Sequence, residues 1–228
     1  RRSILTAALA MTLPLAVTEA YARAPQLPTR TPPPPLPTPP SSTTFDTLVL
    51  VLHGAGGPDA NTRQIAEALE APSTLVIEYD YAACIGDQLR APYDAMRVGE
   101  HLANEVVRLA PQRNVHIIGV SVGAFAADRL ARRLAAQSAI RQRVTFLDPF
   151  TARGALGLLR PETAYGVRKF GASVGEGGVV VSVLNTDDPV PSTNLPLRHA
   201  VNYDITGSVA KRSFEPLPGD SLHSWPAA

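Results

Sequence analysis

Apolar residues fall into two kinds of run along the chain. Five short stretches, at 48–52, 74–77, 115–120, 144–147 and 179–184, are apolar at nearly every position rather than at alternate ones. That pattern suits strands buried on both faces. A sixth candidate lies at 200–205. Between them the apolar spacing turns helical. Residues 61–70 carry Ile65 and Leu69 four apart behind Asn61 as the expected cap. Residues 92–109 place Ala95, Val98, Leu102, Val106 and Leu109 on one stripe, and 124–137 set Leu130 and Leu134 on a face ringed by Arg129, Arg132 and Arg133. Strands alternating with helices predict an α/β domain: a doubly wound, mostly parallel sheet with helices on both faces. Ligands in such sheets bind beyond the carboxyl ends of the strands, so the residues just after each apolar run carry the information.

The first 42 residues break this pattern. Arg1-Arg2, an apolar run over 4–17 and the small-residue sites Ala20-Tyr21-Ala22 and Ala22-Arg23-Ala24 read as a secretory signal peptide over 1–24. The expected cleavage is near Ala22 or Ala24, and the expected location is exported, periplasmic or secreted. The run is shorter than the roughly 20 residues a membrane-spanning helix needs, which argues against an uncleaved anchor. Residues 25–42, with Pro32 to Pro35 in succession and then Pro37, Pro39 and Pro40, favour extended polyproline II and read as a linker. Residues 43–228 are then the catalytic domain. A net charge of +1 gives no basic excess for nucleic acid. Cys84 is the single cysteine, which excludes an internal disulfide and a Cys-rich metal site within these residues.

Gly119-Val120-Ser121-Val122-Gly123 follows one buried strand and opens a helix. A serine on so sharp a turn projects its hydroxyl from the sheet edge, and the crowding explains glycine two positions before and after it. Ser121 is the expected nucleophile. The rival reading, a Gly-rich nucleotide-binding turn, lacks an accompanying G-x-G-x-x-G or G-K-[ST]. Acyl transfer needs donors for a developing oxyanion. Val122 N–H should supply one, aided by the helix dipole. The other should come from Gly54 or Ala55 in His53-Gly54-Ala55-Gly56-Gly57, the loop after the first strand. His53 precedes the serine and is expected to buttress that loop. The general base is expected to be His223, in a loop after the last strand candidate, rather than His199 at that strand's start. Asp148 and Asp187 each follow a strand and precede His223, so chain order leaves the acid open between them.

Six segments, two of them longer than the rest, resemble the pancreatic-type triacylglycerol lipase family of α/β-hydrolases. Val115-His116-Ile117-Ile118-Gly119-Val120-Ser121-Val122-Gly123-Ala124 is similar to its nucleophile segment, and Phe146-Leu147-Asp148-Pro149 to the segment bearing its catalytic acid. Glu78 to Tyr81, Arg97-Val98-Gly99 and His53-Gly54 add shorter likenesses, with a fainter one at Asn185-Thr186-Asp187. The resemblance implies the α/β-hydrolase fold, a lipase- or esterase-like activity, and Asp148 as acid with Asp187 as the alternative. Val120 and Val122 depart from the family's His and Leu, and the lid and C-terminal sandwich of animal lipases have no counterpart.

These readings together predict a serine carboxylic-ester hydrolase with Ser121, Asp148 and His223 as its triad. It would act on lipid or other acyl esters, with no metal or organic cofactor and transient contact with a lipid surface. Acyl transfer to an alcohol, peptide hydrolysis with the same triad, and a non-catalytic envelope-binding protein are the alternatives. Residues 162–178, with Tyr165, Phe170 and Gly171, are expected as an insertion over the site.

Overall fold

The computed structural model describes residues 31–40, 44–87, 89–109, 114–136, 140–175 and 177–209. The chain divides into residues 1–31 and 32–228, and every described helix and strand lies in the second part. The signal peptide expected over 1–24 lies outside the described residues.

Six strands form one parallel sheet: β1 (Thr47–Leu52), β2 (Thr74–Tyr79), β3 (Asn114–Val120), β4 (Arg141–Leu147), β5 (Val179–Leu184) and β6 (Val201–Asp204). Their order is β2-β1-β3-β4-β5-β6. All six are the strands the apolar runs predict, with ends moved by at most three residues and β5 unchanged. Three helices of eight or more residues connect the first four strands: α1 (Ala60–Ala68), α2 (Ala91–Leu109) and α3 (Gly123–Ala135); α4 (Ala155–Leu159) and α5 (Tyr165–Lys169) are short turns between β4 and β5.

Strand β1 shows why the sheet needs cover on both sides. Leu48, Leu50 and Leu52 enter the larger core with α2 and α3, while Val49 and Val51 pack on the other face with Ile65, Ala66 and Leu69 at α1. Burying each such side chain contributes about 2 kcal/mol. The helix α1 starts one residue earlier than its pattern suggests. Asp59, not Asn61, is its cap: the Thr62 N–H donates to Asp59 Oδ1 at 2.8 Å, and the Asp59 N–H donates back to Thr62 Oγ1. A threonine at that position closes the capping box as Glu or Gln would.

The proline-rich stretch expected to be a spacer is, over its described part, laid against the domain. Leu36 is only 2% exposed. Its N–H donates to Glu105 Oε2 at 3.1 Å, and the Pro34 carbonyl accepts from the Tyr79 hydroxyl and from His101 Nε2. Prolines cannot donate to a sheet, so the segment extends no ladder. Its carbonyls bind side chains instead, and its one leucine supplies the apolar knob. The segment lines a shallow cleft with residues of β2, an edge strand that would otherwise be open to pairing.

Phe170 and Gly171, expected in an insertion over the site, are packed into the domain instead. Phe170 is fully buried against Phe125 and Phe146, with ring centroids at 4.9 and 5.2 Å, and Gly171 N–H donates to the buried Asp128 carboxylate on α3 at 3.0 Å. Within residues 162–178 Phe170 is core, while Tyr165 stays half-buried.

Candidate active site

The winding of the sheet reverses at β1. The chain passes from β1 outward to β2, then crosses back over β1 to β3 and onward. The loops leaving β1 and β3 therefore diverge and open a crevice at the carboxyl edge between them. His53 to Gly57 follow β1 and Ser121 follows β3, so the two glycine-bearing motifs meet at that crevice.

Ser121 has φ 50°, in a region that side chains with a Cβ seldom occupy. Three contacts hold it there. Its N–H donates to Leu147 O at 3.0 Å and its carbonyl accepts from Phe150 N–H at 3.0 Å. The helix behind it is pressed onto β1: a Cβ at Gly123 would lie 2.3 Å from Leu52 O and 2.6 Å from His53 O. A Cβ at Gly119 would lie 2.8 Å from the Ala127 methyl. The two glycines of the motif are thus required by close approach, one against β1 and one against α3. Gly54 faces the serine directly, since a Cβ there would come within 3.3 Å of Ser121 Cβ and 3.9 Å of its Oγ.

The loop after β1 has one orientation. His53 is fully buried and stacked on Tyr81 at 3.9 Å. Its Nδ1–H donates to Gly54 O at 2.6 Å, and its Nε2 accepts from Tyr81 N–H at 3.0 Å. Both ring nitrogens are engaged in the neutral form, and burial lowers its pKa below the usual value despite Asp80 nearby. His53 is a buttress, as its place in chain order suggests. The Gly54 carbonyl also accepts from Gly57 N–H. In a trans peptide the C=O and N–H point opposite ways. With the Gly54 carbonyl turned inward, the Ala55 N–H faces away from the buried histidine. Val122, whose helix has no side-chain cap, offers its N–H at the start of α3. Of the two residues left open in this loop, the peptide plane favours Ala55 as donor and gives Gly54 the task of leaving room.

Asp148 stands on the neighbouring strand end, between the two residues that clasp Ser121. It too has positive φ, 40°, and is 1% exposed. Its N–H donates to Val183 O at 2.9 Å, and its Oδ1 accepts from Asn185 N–H at 2.8 Å. The following loop is pinned as well, Thr151 donating from both N–H and hydroxyl to Ser192 O. Asp187 is exposed in the loop after β5, one strand further out. Strand spacing puts β5 about 10 Å from β3.

No family model and no curated protein matches the chain.

The remaining histidines separate by position. His199 precedes β6, at the amino edge. Register places Tyr203 level with Val183 and Leu147, so His199 lies four residues below that level, roughly 13 Å along the strand and away from Ser121. The structure removes it as a base. His116 sits on a face of β3, its Nε2 against Thr145 Oγ1 at 2.9 Å; burial, with Arg143 adding to it, lowers its pKa to about 4. His101 is engaged with Pro34. His223 lies outside the described residues. Among the described residues no group of three or more His, Cys, Asp or Glu is placed to hold a metal ion.

Three supports were not singled out from the sequence: the Tyr81 N–H that fixes His53, the Phe150 N–H that holds Ser121 O, and the Asn185 N–H on Asp148. All three act through backbone amides, which carry no residue-type signal. Leu89 and Tyr93 before and within the first turn of α2, and Leu158 and Leu159 in α4, are exposed large apolar residues following β2 and β4 at this same edge.

Proposed function

We propose that the protein is a serine carboxylic-ester hydrolase of the α/β-hydrolase fold, acting on lipid-like acyl esters through an acyl-enzyme. The observation that carries this reading is Ser121. It stands at φ 50° on a strand–helix turn, wedged by Gly119 and Gly123, with a glycine loop facing it and a buried carboxylate beside it. Strain of this kind costs of order 1 kcal/mol or more and persists where surrounding structure enforces it, as at nucleophilic sites. The resemblance of residues 115–124 and 146–149 to the pancreatic-type lipase family supports the same activity and the same acid. The exposed leucines at the catalytic edge support an apolar acyl group.

In the proposed reaction Ser121 Oγ attacks the ester carbonyl carbon while His223 accepts its proton. The negative charge on the carbonyl oxygen is met by the N–H groups of Ala55 and Val122. Asp148 orients the imidazolium and stabilises its charge. Collapse breaks the carbon–oxygen bond to the alcohol, which leaves with the proton from His223. Water then repeats the sequence on the acyl-enzyme and releases the acid. His223 takes the role because chain order suits it and the other four histidines are otherwise engaged or misplaced.

Purified full chain should be labelled covalently by a fluorophosphonate and should hydrolyse p-nitrophenyl esters. Ser121→Ala should abolish labelling and lower turnover by about 10⁴-fold or more. Undiminished hydrolysis in that variant overturns the assignment. Labelling without ester hydrolysis, but with acyl transfer to an added alcohol, moves the reading to an acyltransferase.

A further inference from the structure

Arg153 lies three residues beyond Phe150, whose N–H holds the Ser121 carbonyl. Three residues of chain span at most about 11 Å, so the Arg153 backbone starts close to the Ser121 turn. Its guanidinium carbon is 4.3 Å from the centroid of the Tyr165 ring and 5.6 Å from that of Tyr93, and Nη1 is 3.9 Å from Met96 Sδ. The residue is nevertheless exposed. Stacking on aromatic rings fixes the plane of a guanidinium while leaving its N–H edge available.

Its charge is treated differently from that of five arginines on α2 and α3. Arg129 and Arg133 both bind Glu100, Arg132 binds Asp128, Arg108 binds Glu105 and Arg97 lies by Asp94. Arg153 has no carboxylate partner among the described residues. Tyr93 beside it is exposed, and the exposed Leu158 and Leu159 follow it in sequence in α4. A fixed, uncompensated cation set in an apolar rim suits a ligand with a hydrocarbon part and a negative group.

We propose that Arg153 is a specificity-determining residue that selects ester substrates carrying an anionic group, carboxylate or phosphate. The inference rests on the ester-hydrolase reading. The charge can sit on the acyl side or on the alcohol side of the ester, and carboxylate and phosphate alike offer two oxygens that a guanidinium can bind together.

The test uses the full chain and two matched pairs of esters. p-Nitrophenyl hexanoate against p-nitrophenyl hydrogen adipate varies charge on the acyl side. Dihexanoylglycerol against dihexanoyl phosphatidate varies it on the alcohol side. Wild type should show the lower KM for the charged member of at least one pair, and which pair does so tells where the charge belongs. Arg153→Gln should raise that KM about tenfold, with kcat and the neutral ester changed by no more than about twofold. Arg153→Lys should fall between, keeping charge without the planar stack. An Arg153→Gln effect equal on charged and neutral esters makes the residue a tie between α2 and α5 and overturns the inference. So does a wild type that hydrolyses neutral esters with no charge preference. A wild type that hydrolyses none of the four overturns the ester-hydrolase reading itself, and this inference with it.

Discussion

Ser121 and Asp148 leave neighbouring strands at the same level of the sheet, both with positive φ, yet their turns are held by different means. At Ser121 the constraint is largely steric and local in sequence. Glycines two positions away on each side let α3 sit against β1 and the Ala127 methyl against β3, at distances no Cβ permits. At Asp148 no glycine is involved. The turn is tied by hydrogen bonds to residues far along the chain, Val183 O and Asn185 N–H, and the aspartate type tolerates positive φ better than most. One turn is enforced by what cannot fit elsewhere, the other by partners that must arrive from β5.

The comparison breaks most visibly in activity. If Asp148 is the acid, Asp148→Asn keeps the Oδ1 acceptor and the tolerance of positive φ but no longer stabilises an imidazolium. Turnover of p-nitrophenyl esters should fall about 10⁴-fold, while the urea midpoint stays near wild type. Asp187→Asn, on an exposed residue one strand further away, should change turnover by less than about threefold, since surface substitutions remote from such features have small effects. A large loss in Asp187→Asn alone would transfer the role of acid to the β5 loop.

The same contrast explains what the sequence made legible. The strands were readable because burial on both faces leaves few polar positions, and the serine because its steric needs are written within five residues. Asp148 against Asp187 was undecided from chain order, because the bonds that bury one and leave the other exposed join residues some 35 positions apart. Only the family likeness pointed to Asp148. Two errors share a cause. Asn61 as a cap and Phe170 within a cover are expectations from residue type and chain position, neither of which carries the tertiary neighbours. Thr62 completes a box with Asp59, and Phe125 and Phe146 draw Phe170 into the core. The proline segment shows the same limit. Nothing local distinguishes a free polyproline stretch from one whose carbonyls meet Tyr79 and His101.

A smaller effect should come from the steric side. Gly123→Ala introduces no conformational strain, because the position is already helical, but its methyl must displace the carbonyl oxygens of Leu52 and His53. Overpacking against backbone should cost about 3 kcal/mol in urea unfolding. It should also lower ester turnover, since the start of α3 moves away from the oxyanion loop. Gly54→Ala meets Ser121 Cβ at 3.3 Å and the Val120 carbonyl oxygen only at an ordinary 3.8 Å. It should cost less than about 1 kcal/mol of stability while still impairing turnover. Equal stability losses would mean that the approach of α3 to β1 is not what fixes the elbow.

The smallest expected difference measures the strain itself. Replacing Ser121 by Gly or by Ala removes the hydroxyl in both cases, so their difference isolates the cost of a Cβ at φ 50°. Gly should be the more stable by about 0.5–1 kcal/mol, the left-handed penalty outweighing the greater entropy of glycine in the unfolded chain. The Gly–Ala difference at Asp148 should have the same sign. Both Asp148 variants, however, strip the Asn185 amide of its acceptor and should fall about 1–3 kcal/mol below wild type. Ser121→Gly should therefore be near or above wild-type stability and Asp148→Gly below it, read from urea midpoints at constant m. If Ala and Gly are equal at 121, the turn relaxes when the serine is removed, and the strain belongs to the side chain's own contacts rather than to the glycine-packed elbow.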